Sequence, residues 1–408
     1  MNKKCIWIVN NYASTPSTGV GGRHYYLGQE LAKQGHEVYV IASSYTHLLR
    51  EPKHIKNDFF IEKLALNFSY IWVKLPTYEG AHSSQRIINE FLFSFKIIGL
   101  KNKIKTPDVI MHSTPALLTY YGSYHLCRYY KIPYVLDVRD FWPKTLIELG
   151  GYSKNHPFIR LLQYTEDKAY KNATKVFANA FNGVSHMISR GMNKSKFSWI
   201  PNGISLSEAD NKEQLASEVI AQIPKDKFIV GYTGTIGVAN AINFLIDAIP
   251  LIENKDNIHF IIVGDGKEKV NIVNSAKNST IENITFIPQI PKRQVQSMID
   301  FFDVCYIGWQ KHKMYELGIA AQKLPEYLYS AKPIIHSYSG NGDFVAQAKA
   351  GITIEAENPF AIAKAIDDIY EMTIEQRNMM GQNGREFALN NFDYAKIAKK
   401  LSTILFEA

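Results

Sequence analysis

The chain has 408 residues, 46% of them hydrophobic and 21% charged, with a net charge of +8 at pH 7. That length exceeds what one ordinary hydrophobic core organises and suits two domains of roughly 200 residues, and the composition excludes an intrinsically disordered chain. Cys5, Cys127 and Cys305 lie far apart in apolar stretches, which excludes a disulfide framework and a cysteine metal site.

No run approaches the ~20 apolar residues of a spanning helix. Lys3 and Lys4 precede a short apolar run that flows into a polar loop with no small-residue cleavage site, so a first strand is expected rather than a signal peptide. The expected setting is cytoplasmic. Charge is uneven: residues 1–190 carry 24 Lys and Arg against 13 Asp and Glu, and the remainder 22 against 25. The basic half points to a polyanionic partner, whether anionic lipid, nucleic acid or a phosphorylated ligand.

In chain order, residues 4–10 read as a buried strand, followed by a polar loop to Gly22, a helix over 23–34 and a strand over 36–42. Strands are expected at 108–112, 134–138 and 175–178, a helix at 115–130, and a strand ending in a turn at 199–203. The segment 86–105 reads either as an amphipathic helix on an anionic bilayer or as a core-facing helix with a solvated basic edge. Residues 205–226 are polar and form the expected linker. A second cycle places strands at 228–232, 259–263, 284–287, 303–307, 333–336 and 351–354. Alternation of this kind predicts an α/β architecture of two Rossmann-like, doubly wound domains, with ligands at the carboxyl ends of the strands.

The strongest local signal is a short helix at 324–330 running into a strand, with Glu326 near its start. Helix-terminal amides point at ligands there, and a carboxylate can accept bonds from both hydroxyls of a ribose; the bland reading is an exposed surface glutamate. The loop amides at 318–322 can take a diphosphate. Gly231-Tyr-Thr-Gly234-Thr235-Ile-Gly237 follows an apolar strand, as does Gly264-Asp265-Gly266, and glycines let a backbone approach phosphate closely; a plain turn explains the second equally well. Gly19-Val20-Gly21-Gly22-Arg23 matches a dinucleotide fingerprint only loosely, and no acid closes the second strand, which disfavours a nicotinamide cofactor. Asp137-Val-Arg139-Asp140-Phe-Trp142-Pro143 gathers two acids, an arginine and a tryptophan at a strand end. It fits an acceptor hydroxyl on a carboxylate with Trp142 stacked on a sugar face. A structural Asp140–Arg139 pair with a packed Trp142 fits as well. P-loop, zincin, nucleophile-elbow and D-x-D patterns are absent.

Taken together, these motifs resemble retaining glycosyltransferases of family 4, especially the bacterial branch that builds surface polysaccharides such as capsule or O-antigen. The resemblance covers nearly the whole chain. It implies a GT-B fold with an N-terminal acceptor domain at 1–203, a C-terminal nucleotide-sugar domain at 204–390, and a last helix within 391–408 returning to the first domain. It implies transfer of a hexosyl or N-acetylhexosaminyl group from a UDP-sugar to a glycan or polyprenyl-linked acceptor, with retention, without a metal or other cofactor, and with no nucleic-acid partner. The anionic partner then becomes the inner membrane face. Glu326 falls on the ribose, the Gly234–Gly237 loop with Thr235 near the diphosphate, the Pro288–Ile290 loop with Gln289 beside the base, and Gly21 and Gly22 close to the reacting centre, with Gly264 also in the donor set. Asp140 and Arg139 join Gly22 as candidate catalytic groups, and Gly318 and Lys323 join the donor set. Three positions depart from the family. Gly318 stands where the family has the first of two glutamates, 235–243 lacks the usual basic residues, and Arg139 replaces a frequent histidine. Arg23, Lys323, Lys313 and Arg139 are the cations able to supply the missing phosphate charge. The rivals are a UDP-sugar epimerase of similar architecture, which needs no acceptor, and a non-catalytic partner subunit.

Overall fold

The computed structural model describes residues 3–80 and 83–406. It divides into two compact units, Met1–Pro201 with Tyr394–Ala408, and Asn202–Asp393.

The first unit holds β1 (Cys5–Val9), β2 (Glu37–Ser43), β3 (Phe59–Ala65), β4 (Phe68–Val73), β5 (Val109–Ser113), β6 (Tyr134–Val138), β7 (Lys175–Ala178) and β8 (Phe197–Trp199). They form one sheet in the order β3-β4-β2-β1-β5-β6-β7-β8. All neighbours are parallel except the β3–β4 hairpin. Every residue of β1 is buried, as a strand covered on both faces must be. The helices α1 (Arg23–Lys33), α2 (Ser84–Lys96) and α3 (Tyr120–Tyr130) follow strands β1, β4 and β5. The C-terminal helix, Tyr394–Phe406, buries Ile397, Ala398 and Leu401 in the same core, and Tyr394 stacks on Tyr26 of α1 at 5.2 Å.

The second unit holds β9 (Phe228–Thr233), β10 (Ile258–Val263), β11 (Ile284–Ile287), β12 (Val304–Gly308), β13 (Ile334–Ser337) and β14 (Gly351–Ile354). The order is β11-β10-β9-β12-β13-β14 and all pairs are parallel. Both sheets therefore reverse direction beside their first strand, at β1/β5 and at β9/β12. Such switch points open a crevice at the carboxyl ends.

Two expectations fail locally, and one element was not expected. The β3–β4 hairpin went unread because β3 is an edge strand with Phe60 and Ile61 exposed and no clean alternation; its turn is marked only by Asn67, at φ 62°. The strand expected at 199–203 lies at Phe197–Trp199. The basic segment 86–105 is not one helix: α2 ends at Lys96, a short 3-10 turn reaches Leu100, and Lys101, Lys103 and Lys105 lie beyond. The buried face of α2 is also more polar than an amphipathic reading requires, carrying Asn89, Glu90, Phe93 and Ser94. Its backbone packs directly on α3, where a Cβ on Gly122 would lie 1.9 Å from the Ser94 carbonyl oxygen.

The three cysteines are buried and unpaired. Burial pushes each thiol up to about 12, so they behave as small apolar residues.

Candidate active site

In the second unit, the loops after β9 and β10 are pressed together. Gly234 N–H donates to the Val263 carbonyl at 2.9 Å and Ile236 N–H to the Asp265 carbonyl at 2.8 Å. Gly264 (φ 146°) must be glycine, because a Cβ there would sit 1.9 Å from the Gly234 oxygen. The helix Lys323–Tyr329 docks on the end of β9 through Tyr327. Thr233 N–H donates to the Tyr327 hydroxyl at 2.6 Å, and Leu324, Pro325 and Leu328 are buried beneath it.

That docking delivers Lys323 to the glycine loop. Its stem crosses the Tyr232 ring, with Nζ 4.0 Å from the centroid. Nζ donates to the Tyr232 hydroxyl at 2.6 Å and to Asn240 Oδ1 at 3.0 Å, and a Cβ on Gly234 would lie 2.7 Å from it. Burial alone pulls the ammonium down from 10.5 to about 7. Among the described residues, no acidic side chain offsets that cost. A desolvated cation of this kind, set against a glycine loop at a switch point, is configured to receive an anion.

One turn along the helix, the Glu326 side chain is 13% exposed and pairs with Lys292 Nζ, while Gln296 Nε2 donates to the Glu326 carbonyl at 3.2 Å. Thr235 is exposed on the loop and its carbonyl accepts the Tyr232 hydroxyl at 2.6 Å. Gln289 is exposed and Ile290 half-buried at the end of β11.

In the first unit, the ends of β1, β5 and β6 converge on a buried polar group. Arg23, 1% exposed, donates from Nε and Nη2 to Asp137 at 3.2 and 3.0 Å and from Nη1 to the Pro201 carbonyl. Ser113 Oγ donates to Asp137 at 2.9 Å and bonds His24 Nε2 at 2.8 Å. Burial by itself raises the Asp137 carboxyl, but Arg23 outweighs it and holds the carboxyl below its ordinary value. Burial, reinforced by the charge of Arg139, holds His24 well below its usual range, so it is a neutral member of the network.

Arg23 thus has each of these nitrogens committed inside the fold. Its role is to tie the strand ends together. Gly21 and Gly22, at φ 74° and 79°, carry the chain into α1 just before it. Arg139 differs: its Nε is buried without a partner, and burial together with the neighbouring Arg23 charge depresses its guanidinium. Asp140 does not pair with Arg139. It accepts Trp142 Nε1 at 2.9 Å and Thr145 Oγ1 at 2.5 Å, while the Trp142 ring is covered by Arg86 at 4.9 Å. A sugar face therefore does not find this indole bare.

A family model described as Glycosyltransferase Family 4 matches residues 17–208, and one described as Glycosyl transferases group 1 matches residues 214–387. The chain is a family 4-like glycosyltransferase of the GT-B fold. Solved structures agree on the fold. Sucrose-phosphate synthase from Thermosynechococcus elongatus is 16% identical with a TM-score of 0.74 over 98% of both chains. The Anabaena protein HepE in complex with UDP and glucose is 13% identical, with a TM-score of 0.66 over 99% of this chain and 100% of its own. WaaG, a glycosyltransferase involved in lipopolysaccharide biosynthesis, is 14% identical, with a TM-score of 0.67 over 99% and 100%. No curated protein matches the chain.

Gly318, where the resemblance implies the first of two glutamates, has a backbone reason to be glycine. Gly318 adopts φ 88° and ψ 165°, a region closed to a glutamate without strain. Glu316, on the turn before it, is exposed. Lys292 and Asn240 are the two site residues the sequence reading missed. Lys292 follows the Gln289–Ile290 loop directly, and Asn240 lies inside the segment 235–243 noted only for lacking cations. Lys313 is exposed; of the candidate cations, Lys323 is the one that touches the glycine loop.

Proposed function

We propose that the enzyme transfers a hexosyl or N-acetylhexosaminyl group, with retention, from a UDP-sugar to a glycan or polyprenyl-linked acceptor in surface-polysaccharide synthesis. The observation that carries this reading is the uncompensated Lys323 ammonium against the Gly234 loop, one turn before Glu326. In this reading a diphosphate on the loop amides supplies Lys323 with a counter-charge in place of the water it has lost, and Glu326 accepts the ribose hydroxyls. Solved relatives in complex with UDP and glucose, or bound with UDP-2-fluoro glucose, support the choice of nucleotide.

Stabilising a departing diphosphate is then the work of Lys323 and of backbone amides fixed before the reaction, which is where preorganised electrostatics contribute most. With that charge supplied by the protein, the reaction needs no divalent metal. Arg139, with its unpartnered Nε, is the corresponding cation of the acceptor unit. The enzyme acts at the cytoplasmic membrane face, a reading supported by the basic balance of residues 1–190 and by exposed Phe95, next to Lys96 in the chain, and exposed Tyr129, beneath Lys101.

Calorimetric titration with a panel of nucleotide sugars tests the reading. Tight binding of UDP-sugars with loss of binding in Lys323→Met supports it; a chain that binds none of the panel overturns it. Conversion of the donor to an epimer in the absence of acceptor would instead assign the epimerase.

A further inference from the structure

The edge of the first sheet carries a cavity that the transfer chemistry does not use. It lies between the start of the β3–β4 hairpin and the turn that follows α2, and its volume is about 540 Å³, within the range of small-ligand pockets. Phe59, Ile61, Leu100 and Ile104 give it apolar walls, and Lys56, Lys74 and Lys103 bring three ammoniums to it. The hairpin explains how two of them meet. Its strands are antiparallel, with Phe59 opposite Val73, so Lys56 and Lys74 return to the same end. Lys74 Nζ donates to the Lys56 carbonyl at 3.0 Å. Lys103 comes from the segment beyond α2, and its Nζ lies 4.9 Å from the centre of the Phe59 ring. Gly99 leaves room for that ring, since a Cβ there would already lie 3.4 Å from Phe59 Cζ.

The charge balance of the cavity is one-sided. Among the described residues, Asp58 is the one acidic side chain that lines it, and Asp58 is already paired, with Lys96 Nζ donating to its Oδ1 at 2.7 Å. The hydrogen bond and the charge of Lys96 hold this carboxyl below its ordinary value, and the charges of Lys103 and Lys74 add to the effect. Ammoniums from three segments of chain are therefore felt at one point. With Asp58 taken by Lys96, none of Lys56, Lys74 and Lys103 is in an ion pair among the described residues. Three such charges around a concave, partly apolar site make a field that a multiply charged anion neutralises best.

We propose that this cavity binds a phosphate-bearing ligand, with Lys56, Lys74 and Lys103 on the phosphate and the wall around Phe59 against the carbons attached to it. The source is the headgroup of an anionic lipid or a soluble phosphate compound, and the chemistry recognised is the same. A lipid source puts the membrane contact of the enzyme at this edge of the sheet. The site belongs to the first unit alone and uses no residue of the donor set, so it stands or falls independently of the donor reading.

The test uses the full chain with UDP at saturation, which keeps the donor loops out of the measurement. The probes are inorganic pyrophosphate and vesicles of phosphatidylglycerol mixed with phosphatidylcholine, the latter read above binding to phosphatidylcholine alone. Wild type binds at least one probe, and the double variant Lys74→Gln/Lys103→Gln weakens that binding about tenfold or more, since each lysine beside an anionic group contributes several-fold. Both side chains are exposed, so Tm and UDP affinity stay as in wild type. Lys63→Gln/Lys154→Gln removes the same charge from exposed positions outside the cavity and leaves probe binding near the wild-type value. Binding of the mixed vesicles without pyrophosphate assigns a lipid headgroup, and binding of pyrophosphate assigns a soluble ligand. Equal losses in the two double variants, or a wild type that binds neither probe, overturns the proposal. Failure of wild type to bind UDP strikes the donor reading instead, while the comparison of the two double variants still decides this one.

Discussion

Replacing Lys323 by methionine separates stability from function in a way that a merely structural lysine would not. Its ammonium titrates near 7 instead of 10.5, with burial as the cause. At about 1.4 kcal/mol per unit, the lost hydration is on the order of 5 kcal/mol. The unfolded chain therefore holds this proton more tightly than the folded one. Stability of the ligand-free protein rises with pH from about 7 toward 10.5, and Lys323→Met abolishes that contribution and raises Tm at pH 7. Donor binding responds in the opposite direction. A charge-assisted hydrogen bond to the diphosphate contributes about 1.5–3 kcal/mol, so UDP affinity falls roughly tenfold to 150-fold. Wild type also takes up nearly one proton on binding UDP at pH 8, where the free ammonium is mostly neutral. Calorimetry in two buffers of different ionisation enthalpy reads that uptake directly. Proton-independent binding, or a lower Tm together with intact affinity, would refute the reasoning.

Other expectations follow from single contacts. Glu326→Ala weakens UDP binding by about 1–3 kcal/mol through loss of hydrogen bonds to a charged acceptor, checked by the same titration; unchanged affinity removes Glu326 from the site. Asp137→Ala strands the buried Arg23 guanidinium and destabilises the first unit by about 3–5 kcal/mol, visible as a lower Tm with UDP affinity retained. Gly264→Ala forces apart the two glycine loops, where the new Cβ meets the Gly234 carbonyl, and both donor affinity and Tm drop. Transfer measured in excess chelator proceeds at the untreated rate, whereas activity that is lost and then restored by magnesium contradicts the metal-free mechanism.

Much of this was legible in the residues themselves. Apolar runs alternating with helical periods are short-range signals, and they located most of the strands within a residue or two, including Tyr134–Val138, Lys175–Ala178, Ile284–Ile287 and Gly351–Ile354 as observed. The glycine clusters after β9 and β10 and the helix bearing Glu326 were readable for the same reason, since backbone demands at a turn fall on the residues that make it. The β3–β4 hairpin escaped because an edge strand half in solvent need not alternate.

The partners of each charge were not legible, because they are set by contacts across long stretches of chain. Four cations competed in the sequence to supply the phosphate charge. Only the docking of Tyr327 on Thr233 brings Lys323 to Gly234, while Arg23 is spent on Asp137, 114 positions away. Asp140 and Trp142 read as sugar-binding groups until their neighbours, Thr145 and Arg86, were in place. Sequence alone therefore determined two doubly wound units and where their loops fall. Tertiary structure decided which buried charges are compensated and which are left for a ligand, because desolvation depends on everything that packs around a group and not on the residues beside it in the chain.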